Sequence, residues 1–291
     1  MLDYESKLKK IKLASYTLGI SSDEVIYAKD LVNNKCKEPF TFICEGLWAV
    51  EKLIEKKFEV SYFFYNSEKL DAGKESVENL DKILKMAEYA KRSFAISSKA
   101  CKKISDRDGF DEYFIIAKLP NYTLSDFEKM FEGKDNLLGI VMDGLEQPGN
   151  IGAILRSFDC AGGDFAIVVN RQAKLTNSRL IRASLGASFL IPAVETDIET
   201  AQRWLENNNF KCVVTDLQSK KSFKEADYSG RVVVVAGNEH TGISPSWRKV
   251  KNAESIIIPM LGSCESLNVG FASTLVAYEA GLQKFGNKKG E

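Results

Sequence analysis

The sequence predicts an α/β protein built as two domains. Three observations carry this: short apolar runs alternate with helical repeats from Phe40 onward, a polar stretch interrupts them at 120–136, and 291 residues suffice for two ordinary domains.

Residues 1–38 are polar, with weak helical repeats at Leu8, Ile11 and Leu13 and again at Val25, Ile26, Ala28 and Val32, which predicts an N-terminal helical arm. From 39 to 119 the rhythm changes. FTFICEG is strand-like, LWAVEKLIEKK helical, VSYFFYN strand-like and ESVENLDKILKMAEYAK helical; SFAISS, KACKKISD and EYFIIAKL complete strand, helix and strand. This alternation predicts a small α/β domain with a mainly parallel sheet. The stretch 120–136 (PNYTLSDFEKMFEGKDN) opens on proline and has few aliphatic residues, so it reads as a linker carrying one short helix at 125–131.

Residues 137–291 form the second α/β domain. Leu137, Leu138, Ile140, Val141 and Met142 have the length and branching of a buried strand, which breaks at Asp143-Gly144; a helix follows from about Ile151 to Ala161 and stops at Gly162-Gly163. DFAIVVN is the next strand, and SRLIRASLGA a helix with Arg179 and Arg182 on one face. PAVETD, the helix ETAQRWLENN, the strands KCVVTDL, RVVVVAG and SIIIP, and a final helix LNVGFASTLVAYEAGLQKF complete the chain.

Composition narrows the function. Forty basic residues balance forty acidic ones, so an RNA or DNA partner needs a local patch and not bulk charge. Six scattered cysteines without a C-x-x-C, and His240 as the single histidine, argue against a zinc site and a disulfide scaffold. The cysteines read as small apolar fillers in a reducing cytosol. No apolar run approaches a membrane span, and the charged first residues are no signal peptide; the expectation is a soluble cytoplasmic protein without metal.

Three glycine-containing loops follow strands in the second domain: EQPGNIG, AGNEHTGIS and IPMLGSCESLN. In open α/β sheets ligands bind at the carboxyl ends of strands, so these loops are expected to converge on one crevice. None is G-x-G-x-x-G or a Walker loop, which disfavours a dinucleotide or ATP site.

Together these residues resemble the SpoU/TrmH group of the SPOUT methyltransferases. The N-x-G-x-x-x-R motif stands as Asn150, Gly152 and Arg156; G-x-E-x-x-G as Gly237, Glu239 and Gly242; and I-P-M followed by S-L-N as Ile258, Pro259, Met260, Ser266, Leu267 and Asn268. The resemblance covers 137–286 closely and 40–119 more loosely, through F-I-C-E-G. It implies a SPOUT-like C-terminal domain threaded into a trefoil knot, which the usual unknotted rule would not suggest, preceded by a small RNA substrate-binding domain. It further implies methyl transfer from S-adenosylmethionine to a ribose 2'-hydroxyl of RNA, in a homodimer with sites near the subunit interface. Gly237, Ile258 and Leu267 would contact the cofactor, with Thr215, Gly242 and Met260 nearby. Arg156, Asn150, Glu239, Ser266 and Asn268 would form the catalytic set. Glu239 would hold Arg156 or the cofactor loop, Asn150 would fix the loop and ribose, and Ser266 would position.

Plainer readings stand beside these, with a solvated face the default for a charge cluster. Ser266 would cap the final helix with Asn268 in its first turn, and His240 would be an exposed spectator. Phe63, Phe64 and Tyr65 are core strand residues. Arg171, Lys174, Arg179 and Arg182 would make an RNA-binding patch beside the site, with Lys91, Arg92, Lys102 and Lys103 a weaker version in the first domain. Gly270 departs from the family pattern and would permit close backbone approach. The segment SRLIRASLGASFLIP, with PGNIGAILR, resembles the thiostrepton-resistance ribosomal RNA methyltransferases, which favours ribosomal over transfer RNA. Two other classes remain open: a catalytically idle RNA-binding dimer on the same fold, and an unrelated α/β nucleotide-binding enzyme.

Overall fold

The computed structural model describes residues 4–105, 107–109 and 111–286; the extreme ends of the expected arm and of the second domain lie outside these. The chain divides into two units, one up to Pro120 plus Leu175–Phe189, the other Asn121–Lys174 plus the chain from Leu190 onward.

In the first unit the order is α1 (Tyr4–Leu13), β1 (Tyr16–Thr17), α2 (Asp23–Val32), β2 (Thr41–Glu45), a 3-10 turn (Leu47–Ala49), α3 (Val50–Glu55), β3 (Val60–Asn66), α4 (Ser67–Asp71), α5 (Val77–Tyr89), β4 (Arg92–Ile96), α6 (Ser98–Ile104) and β5 (Tyr113–Lys118). The five strands form one sheet in the order β1-β4-β3-β5-β2. Contrary to expectation it is mixed: β4 runs parallel to β1 and β3, but β5 is antiparallel to both β3 and β2. Alternation of strands and helices shows what is buried and leaves strand direction undetermined. Apolar side chains fill both faces, Phe42, Phe63, Leu80 and Ile83 on one, Val25, Phe64, Phe94 and Ile116 on the other. Phe63, Phe64 and Tyr65 are core residues, as expected. The N-terminal arm is not separate: Ile11, Val25, Ala28 and Val32 lie in these cores, and β1 adds an edge strand.

The second unit begins inside the expected linker. There α7 (Leu124–Met130) is closed by a Thr123/Asp126 capping box, and Phe127 and Phe131 enter this unit's core. It continues with β6 (Leu137–Asp143), α8 (Pro148–Cys160) and β7 (Phe165–Val169). The following α9 (Ser178–Ser184) and most of α10 (Ala187–Leu190) belong to the first unit, not to the second domain where the sequence placed them. The cause is local. Ile181 and Phe189 join the first core, Phe189 stacks on Trp48 at 6.0 Å, and Ser178 Oγ donates to the Val32 carbonyl at 2.7 Å.

Back in the second unit come β8 (Ala193–Glu195), α11 (Ile198–Asn207), β9 (Lys211–Thr215), β10 (Arg231–Ala236), a 3-10 turn (Pro245–Lys249), β11 (Ala253–Ile256) and α12 (Val269–Phe285). Its six strands are all parallel, in the order β11-β9-β10-β6-β7-β8. An aromatic cluster of Phe127, Phe131, Phe165, Trp204 and Phe210 fills one face. Helices α8 and α12 pack against each other so closely that a Cβ on Gly281 would stand 2.2 Å from the Ala161 carbonyl oxygen. The connection from β6 leads outward to β7 while β9 and β10 lie on the other side, so the sheet has its switch point between β10 and β6, where α/β sheets open a crevice.

Candidate active site

The three glycine-bearing loops leave the carboxyl ends of β6, β10 and β11, all in the second unit. After β6, Gly144 adopts φ +68° and Pro148 starts α8, where its fixed φ suits a first helical position. Ile151, Ile154, Leu155 and Phe158 bury one face of α8 and leave Arg156 exposed on another. The helix thus begins three residues before the expected Ile151.

After β10 the backbone of Asn238 pairs in both directions with Gly242, at 2.9 and 3.0 Å, making a tight loop around Glu239. Gly237 is required there: a Cβ would lie 2.3 Å from the Gly242 carbonyl carbon, and Gly242 itself has φ +71°. Glu239 turns back onto the first loop. It accepts from the backbone N–H groups of Glu146 (3.1 Å) and Gln147 (3.2 Å) and from Asn150 Nδ2 (3.0 Å). Burial alone would raise its pKa, but the side-chain bond from Asn150 and the backbone N–H groups of Glu146, Glu239 and Gln147 outweigh it and hold the carboxyl below its usual range. Asn150 Oδ1 in turn faces Asn268 Nδ2 at 3.4 Å, a long contact.

Asn268, not Ser266, caps α12: its Oδ1 accepts from Gly270 N at 2.8 Å, and Ser266 lies exposed two residues earlier. At Gly270 the close neighbour is a side chain and not backbone, since a Cβ would stand 3.0 Å from Asn268 Oδ1.

The second and third loops, the end of β9 and the start of α12 line a cavity of about 230 Å³, to which the first loop, with Asn150, contributes no lining residue. Its lining includes all six positions assigned to a cofactor, Thr215, Gly237, Gly242, Ile258, Met260 and Leu267, together with Glu239 and Ser266. Thr215 is held by a bond from its Oγ1 to the Val235 carbonyl at 3.2 Å. His240 is exposed, as expected, yet it also borders this cavity and a wider cleft of about 630 Å³ that shares part of its lining.

Arg156 stands apart. It does not line the cavity and has no hydrogen bond or ion pair among the described residues, so Glu239 braces the first loop and not Arg156. The proposed RNA contacts are likewise divided. Arg171, paired with Glu195 at 2.6 Å, and Lys174 are in the second unit; Arg179 and Arg182 are in the first, with Arg182 Nη1 4.0 Å from Glu45. They do not form one patch of one unit.

Sequence reasoning passed over Asp143, Asn170, Ser244 and Trp247, which fasten the bases of these loops. Their only signal was the strand-ending position of Asp143. No group of histidine, cysteine or carboxylate side chains suited to a metal occurs among the described residues.

The SpoU rRNA Methylase family model matches residues 137–278. A protein of Staphylococcus saprophyticus described as a TrmH family tRNA/rRNA methyltransferase is 30% identical over 207 residues, 69% of this chain and 81% of that protein. The chain belongs to the SpoU methylase family. The 23S rRNA (uridine(2479)-2'-O)-methyltransferase of Streptomyces viridochromogenes is 31% identical over 161 residues, covering 53% of this chain and 56%, or about half, of the relative's length. The crystal structure of an AdoMet-bound rRNA methyltransferase from Sinorhizobium meliloti superposes with a TM-score of 0.79 at 23% identity, covering 92% of this chain and 97% of that one, and shows that the fold is shared. Membership in the SpoU family is in keeping with the three motifs that these loops carry.

Proposed function

We propose that the protein is an RNA 2'-O-ribose methyltransferase that uses S-adenosylmethionine. The observation that carries this is the single cavity lined by Thr215, Gly237, Gly242, Ile258, Met260 and Leu267, closed by a loop that Glu239 ties to Asn150. The residues fit the cofactor: Gly237 lets the loop around Glu239 close on its own backbone, since a Cβ there would collide with Gly242 and Ile243, and the closed loop leaves Gly237 and Gly242 lining the cavity without side chains. S-adenosylmethionine, when bound, supplies an electrophilic methyl on a sulfonium. The chain's own task is then to place the 2'-oxygen in line and to stabilise the negative charge that develops on it.

Asn150, fixed by Glu239, presents its Oδ1 beside the cap of α12 and orients the ribose. Arg156 lies six residues further along α8, about 9 Å along the axis, exposed and without a partner among the described residues. A guanidinium remains protonated in proteins, so Arg156 stabilises charge and grips the adjacent phosphate, and the hydroxyl proton passes to a phosphate oxygen or water. Ser266 and Asn268 complete the rim.

The RNA is proposed to be ribosomal, in keeping with the relatives' names and with the segment 178–192. Arg179 and Arg182 on the first unit, and Arg171 and Lys174 on the second, supply phosphate contacts, making 39–119 with 175–189 the substrate-binding part. The working form is proposed to be a cytoplasmic homodimer. Phe271, Leu275, Tyr278 and Leu282 form an exposed apolar stripe on α12, the helix whose N-cap is Asn268, so a second copy covering it would reach the edge of the site. No helix among the described residues is long and apolar enough to cross a membrane. Calorimetry with S-adenosylmethionine tests the reading. Stoichiometric binding abolished by Gly237→Val is expected, and absence of binding to the intact protein would favour an idle RNA-binding dimer.

A further inference from the structure

We propose that Asp143 and Asn170 are positioning residues for methyl transfer, acting together as a latch that sets where Glu239 stands. The proposal rests on the methyltransferase reading above and adds two residues outside the family motifs quoted there.

Asp143 ends β6 and is only 2% exposed, yet it forms no ion pair among the described residues. Its carboxylate is satisfied by neutral donors alone: Oδ1 accepts from Asn170 Nδ2 at 2.7 Å, and Oδ2 from Ser244 N at 2.8 Å and from Trp247 Nε1 at 3.1 Å. Asn170 follows β7 in the left-handed region, φ +50°, a conformation asparagine tolerates and most residues do not. That turn directs its amide back to Asp143 and, at 3.4 Å, to Ser244 Oγ.

The consequence lies in what is tethered. The segment carrying Glu239 is held at its start by Asn238 Nδ2, which donates to the Gly144 carbonyl at 2.7 Å, and at its end by Ser244 N on Asp143. Both anchors are therefore adjacent residues, 143 and 144, at the base of the loop that leads to Asn150. Between the anchors the Asn238–Gly242 pairing leaves the loop little freedom. A buried anion without a cation is a costly way to stabilise a fold. It is well suited to holding three N–H donors from two other segments in one arrangement.

Donor and acceptor geometry provides the test. Asn170→Asp sets a second carboxylate against Oδ1 of Asp143 with no donor between them. Asp143→Asn in the same chain removes the conflict, since the carboxylate at 170 then accepts from the amide at 143 and from Ser244 Oγ. With S-adenosylhomocysteine as calorimetric probe, Asn170→Asp is expected to weaken binding about tenfold or more and to lower kcat with KM for RNA unchanged. The double variant is expected to return both to within about threefold of the parent, and amide hydrogen exchange in 237–244 to quicken in the single variant and slow again in the double. A single variant that loses only thermal stability, or a double variant with additive losses, would overturn the proposal. The exchange measurement reads the latch even in a protein that transfers no methyl, which separates its failure from that of the methyltransferase reading.

Discussion

Replacing Glu239 by Gln tests how the site is braced. The carboxylate accepts three bonds, from Glu146 N at 3.1 Å, Gln147 N at 3.2 Å and Asn150 Nδ2 at 3.0 Å. A glutamine amide keeps one acceptor oxygen, so its NH2 must face a donor. In the better orientation it faces Glu146 N and one bond is lost; the others lose their charge assistance. A bond to a charged group contributes about 1.5–3 kcal/mol, and partial exposure lowers that to roughly 1–2 kcal/mol, or about 5- to 30-fold in the population of the competent loop. The assay is a pair of titrations, cofactor by calorimetry and single-turnover methyl transfer on RNA, with both expected to fall by that factor while RNA affinity holds. Acidification provides the same test without a mutation. Because the Glu239 carboxyl is held below its usual range, its contribution is fully present above the unfolded value near 4 and is lost as pH falls through the lower folded value. Cofactor affinity in the parent should therefore persist to about pH 5 and fall below about pH 4, a fall the Gln variant lacks. An unchanged variant, or one that loses only RNA binding, would refute the bracing role.

Arg156→Lys keeps the charge but loses the planar fork; turnover is expected to fall at least about 100-fold with cofactor affinity nearly intact, measured by single-turnover kinetics, and near-normal turnover would contradict the role given to this side chain. Gly281→Ala places a Cβ 2.2 Å from the Ala161 carbonyl oxygen, so despite alanine's helix preference it should lower stability by about 1–3 kcal/mol in denaturant titration of the second unit's transition; a stabilised variant would mean the α8–α12 contact is looser than described. Phe271→Asp puts a charge into the exposed stripe of α12 and should convert dimer to monomer in light scattering; a dimer that survives it places the interface elsewhere.

Much of the site was legible because its residues sit on strand-ending loops. The valine run before Gly237 marks a buried parallel strand and the isoleucines before Pro259 the end of a half-buried parallel edge strand, and both loops leave carboxyl ends of one sheet. The resemblance then proposed six cofactor positions, and all six line one cavity. Other features were hidden for physical reasons. The apolar spacing of Leu180, Ile181 and Phe189 shows that these side chains are buried but not against which unit, so α9 was placed with the wrong partner. Phe127 and Phe131 looked like two aromatics in a polar linker, and only packing against Phe165 makes them core. Asp143 showed only that it ends a strand, since its partners lie 27 to 104 residues away in the chain.

The central claim is tested most directly by incubating the protein with ribosomal RNA and S-adenosylmethionine labelled in its methyl group, then mapping the product. The account predicts label at one ribose, protecting the adjacent phosphodiester from alkaline cleavage, and label at least about 100-fold slower with Arg156→Lys. Label on a base, or transfer that is indifferent to Arg156, would contradict it.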